Sequence, residues 1–168
     1  MIHKYKKAYF GQVLSVINDG ARAYKGIIPK TCWHEPYMSG RDLKKELGRG
    51  VKFYVFENHN KCKGVMGIQF FDNVTLIRHA YVKKEFQKKG IGTKLLKYLL
   101  KKTHKPILIG TWADTPWSIR FYEKHNFKII PDKIKNKLLG KYWKISNDHR
   151  SASIVLANEQ WYDQYRCN

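Results

Sequence analysis

The residue types best suited to chemistry in this 168-residue chain lie in one run, Val82-Lys83-Lys84-Glu85-Phe86-Gln87-Lys88-Lys89-Gly90-Ile91-Gly92-Thr93. Glycines at 90 and 92 let the backbone approach a ligand closely, and the unpaired N–H groups at the start of a following helix, with its positive dipole end, favour an anion. Lys88 and Lys89 add charge beside them. That pattern suits phosphate binding, although two glycines before a helix serve equally as a tight turn. The cysteines offer less. Cys32, Cys62 and Cys167 are odd in number and lack C-x-x-C spacing, which argues against a disulfide framework and against a zinc site. No metal is expected, and a reducing compartment is the simpler reading.

The elements that must position this loop follow from periodicity. A short strand is expected near Ile2 to Tyr5, then an amphipathic helix from Phe10 to Ala23 with Val13, Leu14, Ile17 and Ala21 at helical spacing. Residues 24–39 read as irregular. Ser39 caps a short helix to about Leu47, with Asp42 in its first turn, and Gly48 and Gly50 end it. Val51 to Glu57 and Lys63 to Phe71 read as a hairpin around the polar turn 58–61, followed by a strand from Val74 to Val82. Gly90 to Lys102 is a strong amphipathic helix. Pro106 to Thr111 reads as a strand, Pro116 to His125 as a helix, Phe127 to Ile130 as a strand, Pro131 to about Leu139 as a short helix and Ser153 to Ala157 as a last strand. The expected fold is α/β, more narrowly α+β. A central mixed, mostly antiparallel sheet of about six to seven strands is flanked by helices. The strand, helix, strand order around Gly90 supplies one parallel pair.

No repeat or linker divides the sequence, so one domain over residues 1–168 is expected. The formal charge of +20 raises nucleic acid, an anionic membrane or an anionic ligand as partners. The lysines are spread along the chain, which equally fits a solvated basic surface. The charged first residues and the lack of a long apolar run predict no membrane insertion and a cytoplasmic location.

Gln87-Lys88-Lys89-Gly90-Ile91-Gly92 resembles the Q/R-x-x-G-x-G/A signature of the GNAT acetyltransferases. The strand ending in Tyr81-Val82 looks like that superfamily's fourth strand. About thirty residues on, Thr115-Pro116-Trp117-Ser118-Ile119-Arg120-Phe121-Tyr122-Glu123-Lys124-His125-Asn126-Phe127 is similar to the family's N-x-x-A-x-x-F-Y-E-K-x-G-F segment. The resemblance covers roughly residues 50 to 130. It implies an N-acetyltransferase with acetyl-CoA as cosubstrate, whose acetyl group passes to a primary amine by direct attack. The acceptor is a small amine, an amino acid derivative or a peptide amine. By the same resemblance Ala80 and Tyr81 flank the thioester, backbone groups of Val82 to Lys84 hold the pantetheine arm, and Gln87 to Thr93, including Ile91, wrap the pyrophosphate. Thr115 and Ser118 join the donor site, and Tyr122 protonates the leaving thiolate. Thr115 departs from the usual Asn and Asn126 from the usual Gly; Thr is able to cap a helix, and Asn tolerates the left-handed backbone that Gly commonly supplies.

The general base is less defined. Leu76, six residues before Val82, accepts no proton. Simple strand alternation places Leu76, Arg78, Ala80 and Val82 on one face and His79 on the other, away from the family's usual base position. His79 has a suitable ordinary pKa but also reads as a packed strand histidine. The loop Cys32-Trp33-His34-Glu35-Pro36-Tyr37-Met38 lies where the family builds its acceptor pocket. There Trp33, His34 and Tyr37 would line the acceptor and Glu35 would pair with its ammonium or take its proton, with Trp112 on the same wall. Trp33, Tyr37 and Trp112 are equally suited to packing. Two competing readings stand beside the enzyme: a basic nucleic-acid-binding module, which clustered cations and exposed aromatics would require, and a GNAT domain that binds acetyl-CoA without turning it over. A homodimer paired through the last strand is a family-level expectation.

Overall fold

The computed structural model describes residues 1–166; Cys167, expected to be inert, lies outside them. The backbone gathers into two compact units, Met1–Ala23 with His34–His104, and Tyr24–Trp33 with the chain from Lys105 onward.

In the first unit, strands β1 (Ile2–Lys4), β2 (Lys52–Asn58), β3 (Lys61–Phe70) and β4 (Thr75–Val82) form an antiparallel series. The β2–β3 hairpin closes with Asn58 opposite Lys61, and the two intervening residues, His59 and Asn60, both have positive φ (52° and 58°). Such a turn matches the right-handed twist of the strands it joins. Helix α1 (Phe10–Ala21) buries Val13, Val16 and Ile17 in a core with Phe53, Val55 and Val65. Helix α2 (Gly40–Gly48) starts in a reciprocal capping box, with the Asp42 N–H donating to the Ser39 hydroxyl and the Ser39 N–H donating to the Asp42 carboxylate. Helix α3 (Ile91–Leu100) buries Ile91, Leu95, Leu96 and Leu99. Its first turn rests on Gly64 of β3, where a Cβ would lie 2.7 Å from Ile91 Cγ2, so the missing side chain sets how closely α3 sits.

The second unit holds β5 (Ile107–Trp112), α4 (Pro116–Glu123), β6 (Lys128–Ile129), α5 (Asp132–Leu138), α6 (Asn147–Ser151), β7 (Ser153–Ala157) and α7 (Glu159–Arg166), with a π-helical turn at Leu139–Trp143. Strand β7 pairs antiparallel with β5 on one side and β6 on the other. On the β6 side the pairing covers Leu156 and Ala157, with the Ile130 N–H donating to the Val155 carbonyl (2.8 Å). The π-helical turn, α6 and α7 were not anticipated.

The strands run in the order β1-β2-β3-β4 in the first unit and β5-β7-β6 in the second. The fold class is the one expected from the sequence. No described helix is long and apolar enough to cross a membrane.

Candidate active site

The run from Val82 to Thr93 folds as a braced loop entering a helix. The Lys83 N–H donates to the Lys63 carbonyl of β3 (3.0 Å), and the Lys84 N–H to Asp19 Oδ2 of α1 (2.7 Å). These bonds hold the N–H groups of Lys83 and Lys84 inside the chain. Alternate residues of an antiparallel strand direct their polar groups to opposite edges, so Val82 faces away from β3. Its carbonyl accepts from the Gln87 side-chain amide (3.0 Å), so Gln87 braces the loop. Lys88 and Gly90 both take positive φ, 58° and 77°, a conformation that glycine adopts without cost. Gly90 occupies the N-cap of α3, with no side chain bonded to the helix start and no acidic residue in its first turn. The first N–H groups of α3 have no partner within the helix, and exposed Lys84, Lys88 and Lys89 surround them. An uncapped helix start rimmed by cations fits a pyrophosphate. Lys63 and Lys89 also lie over the Phe86 ring, at 4.4 and 5.5 Å from its centre. Ile91 is buried under the loop, whereas Gly92 and Thr93 are half-buried at the helix start. Tyr81, half-buried, meets the Tyr37 ring edge-on at 6.3 Å, and its Cβ lies 3.1 Å from where a Cβ on Gly20 would be.

Upstream, β4 carries a bulge. Val65 pairs with Tyr81 and Gly67 with Arg78, so one residue of β3 faces two of β4, and His79 takes φ 52°. The simple alternation expected for this strand is therefore wrong beyond Arg78. The bulge moves Tyr81 to the face of Leu76 and Arg78, and it sends Arg78 and His79 to the same carboxylate. Glu46 Oε2 lies 2.7 Å from His79 Nε2 and 3.1 Å from the Arg78 guanidinium, while Arg49 reaches Oε1 at 3.2 Å. Arg78 also donates to Gln69 Oε1 (2.9 Å), and the His79 ring tilts against Phe53 at 5.5 Å. Burial by itself would raise the Glu46 carboxyl, but the His79 hydrogen bond and the neighbouring positive charges outweigh it and hold the group at about 2. Burial pushes the His79 imidazole below its usual range, against the opposing pull of the Glu46 hydrogen bond. His79 is thus a neutral, partnered histidine and not a solitary one. Glu46 was missed in the sequence. The available signal was an acid three residues after Leu43 on the apolar stripe of α2, a position that burial otherwise reserves for hydrophobic residues.

In the second unit, Tyr122 is 5% exposed on α4, its ring edge-on to Phe121 and Phe127. Burial raises its hydroxyl well above the usual tyrosine range, so the proton stays on the oxygen at neutral pH. Asn126, with φ 64°, ends the helical segment in the left-handed conformation expected of it. The Phe127 N–H reaches back to the Tyr122 carbonyl (3.2 Å), which fixes the backbone around the tyrosine. Thr115 occupies the N-cap of α4 without capping it. It is fully buried, and its hydroxyl donates to the Trp112 carbonyl (2.7 Å). That bond shapes the turn after β5. The Ser118 hydroxyl bonds with that of Thr111 (2.9 Å). Trp112 is buried and stacks on His149 at 4.3 Å, which fits the packing role also read for it. Exposed Trp117 lies parallel to Tyr24 at 6.5 Å.

In the loop after α1, His34 and Glu35 are exposed, while Trp33 and Tyr37 are half-buried. Asn18 ties the end of the loop to α1, accepting from the Met38 N–H (2.8 Å) and donating to the Met38 carbonyl (3.0 Å). Leu76 is fully buried. Buried Cys62 has its thiol pushed up to about 11 by burial, which leaves no thiolate for nucleophilic chemistry at neutral pH.

A sequence profile of the acetyltransferase (GNAT) domain matches residues 49–129, from the end of α2 to β6. No curated protein sequence matches the chain. Among solved structures, a GNAT-family acetyltransferase from Staphylococcus aureus Mu50 superposes with a TM-score of 0.70 at 19% identity, over 94% of this chain and 97% of its own. The PaiA N-acetyltransferase of Thermoplasma acidophilum, in complex with coenzyme A, gives 0.70 at 17% identity over 94% and 97%. The ribosomal-protein-S18-alanine N-acetyltransferase of Escherichia coli gives 0.67 at 14% identity over 94% and 92%. The matched profile contains both the loop entering α3 and the Tyr122 segment, so residues 49–129 are similar to the GNAT acetyltransferase domain.

Proposed function

We propose that the chain transfers the acetyl group of acetyl-CoA to a primary amine by direct attack. The observation that carries this reading is the uncapped start of α3 behind Gly90, rimmed by Lys84, Lys88 and Lys89 and braced by Asp19, Gln87 and Lys63. A polyphosphate finds there oriented N–H donors and a positive field, and the Thermoplasma acidophilum neighbour holds coenzyme A on the same fold. The Val82 N–H, turned away from β3, suits an extended amide-bearing arm. A backbone N–H near Ala80 polarises the thioester carbonyl. Tyr122, kept protonated by burial, gives its proton to sulfur as the carbon–sulfur bond breaks. No side-chain nucleophile is required. Exposed His34 and Glu35, with Trp33 and Tyr37, supply an acceptor surface on which Glu35 pairs with an ammonium group.

Calorimetric titration with acetyl-CoA and CoA, followed by thiol release against a panel of primary amines, tests this. Binding together with amine-dependent thiol release is expected, and a protein that binds neither donor would overturn the reading.

A further inference from the structure

Resting on the acetyltransferase reading, we infer that Glu46 and His79 form a dyad in which the Glu46 carboxylate fixes the imidazole and His79 Nδ1 takes the proton of the acceptor ammonium. The geometry runs in steps. Glu46 Oε2 stands 2.7 Å from His79 Nε2. An ionised carboxylate only accepts hydrogen bonds, so Nε2 carries the ring proton and the lone pair of the neutral imidazole is on Nδ1. Within the described residues the ring's other interaction is with Phe53, and no buried side-chain nitrogen or oxygen lacks a hydrogen-bond partner. Nδ1 is therefore open to solvent, on a side chain that is 16% exposed.

The backbone supports the same assignment. His79 is the one non-glycine residue inside a described strand with positive φ, a conformation that costs free energy and is held only where its surroundings over-determine it. The charged and titratable groups facing the ring are Glu46 of α2 and Arg78 of β4, with Phe53 of β2 against it and Arg49, just past α2, bonded to the same carboxylate. Arg78 disfavours a second positive charge on the ring and Glu46 favours it. Burial first, and then Arg78, keep His79 neutral at rest, while Glu46 favours the imidazolium that forms when the ring accepts a proton in turnover.

The protons balance as follows. The ammonium passes one proton to Nδ1. The amine nitrogen then bonds to the thioester carbon, and the carbon–sulfur bond breaks as sulfur takes the proton of Tyr122. The new amide nitrogen sheds its surplus proton, which replaces the one Tyr122 gave, and His79 returns its own to water. His79 is thus the catalytic residue, and Glu46 positions it.

The test uses the full chain and the amine of the panel that wild type turns over. His79→Gln lowers kcat about 100-fold with acetyl-CoA affinity unchanged. His79→Asn, which tolerates the left-handed backbone, does the same and guards against a folding defect. Glu46→Gln keeps a hydrogen-bond acceptor but removes the charge that favours the imidazolium, so the acid limb of the pH profile moves to lower pH. Independently of turnover, nitrogen NMR of the ring at neutral pH shows the Nε2-protonated tautomer in wild type. Either His79 variant turning over within about threefold of wild type, an unmoved acid limb in Glu46→Gln, or the Nδ1-protonated tautomer would overturn the dyad. A wild type that neither binds acetyl-CoA nor releases thiol would overturn the acetyltransferase reading beneath it, and the base assignment with it.

Discussion

Tyr122 is held in place by packing against Phe121 and Phe127, and burial raises its hydroxyl, so the proton needed for the proposed acid role is present at neutral pH. Tyr122→Phe preserves the packing and deletes the proton, so kcat should fall by about 10² or more with acetyl-CoA affinity unchanged, as steady-state kinetics and calorimetry would show. Glu46 makes a prediction about stability. Its folded pKa, at about 2, is depressed below the ordinary carboxylate value. The stability it contributes is therefore fully present above about pH 4.5 and is lost as pH falls through the folded value. Thermal melts of Glu46→Gln should show a shallower loss between pH 5 and 2, as approximate limits, than wild type. Glu46→Ala should cost about 3–5 kcal/mol by leaving Arg78 buried and unpaired, measurable by urea unfolding. At this scale the sequence was legible where neighbours in the chain supply the surroundings, as Phe121 and Phe127 do for the Tyr122 ring. It was not legible where partners come from another element. Nothing near His79 in sequence announces Glu46, 33 residues away, and the reading of its face assumed unbroken alternation.

Elements with their own local grammar were readable. Ser39 and Asp42 begin α2 as expected, β7 spans the expected residues, and Asn126 takes the left-handed turn that its type permits. The β4 bulge was hidden, because a bulge is a mismatch in count between two strands and each strand alone still reads as alternating. The later helices were hidden for another reason: α6 has five residues, and α7 is a short polar stretch whose register is set by Trp161 packing into the core. The seat of α3 on Gly64 gives a test at this scale. Gly64→Ala places a methyl where Ile91 Cγ2 already lies. It should cost about 1–3 kcal/mol and weaken acetyl-CoA binding by tilting the start of α3, whereas Gly48→Ala, which meets nothing within 4 Å, should leave binding unchanged. Calorimetry on the two variants separates these outcomes.

Across the molecule, the net charge of +20 sets the field that an anionic donor meets. Affinity for acetyl-CoA should fall several-fold between about 0.05 and 0.5 M salt, because screening shortens that field to a few ångströms; calorimetry over that range checks it. The antiparallel strands and the order of elements could be read from periodicity. The internal position of β7 could not, since strand order depends on long-range pairing that no local pattern encodes. The most direct test of the central claim is amine-dependent thiol release from acetyl-CoA by wild type and Tyr122→Phe side by side. The account predicts release by wild type and a loss of about 10² or more in the variant, with both binding the donor equally; equal rates in the two proteins, or no release from a wild type that binds acetyl-CoA, would contradict it.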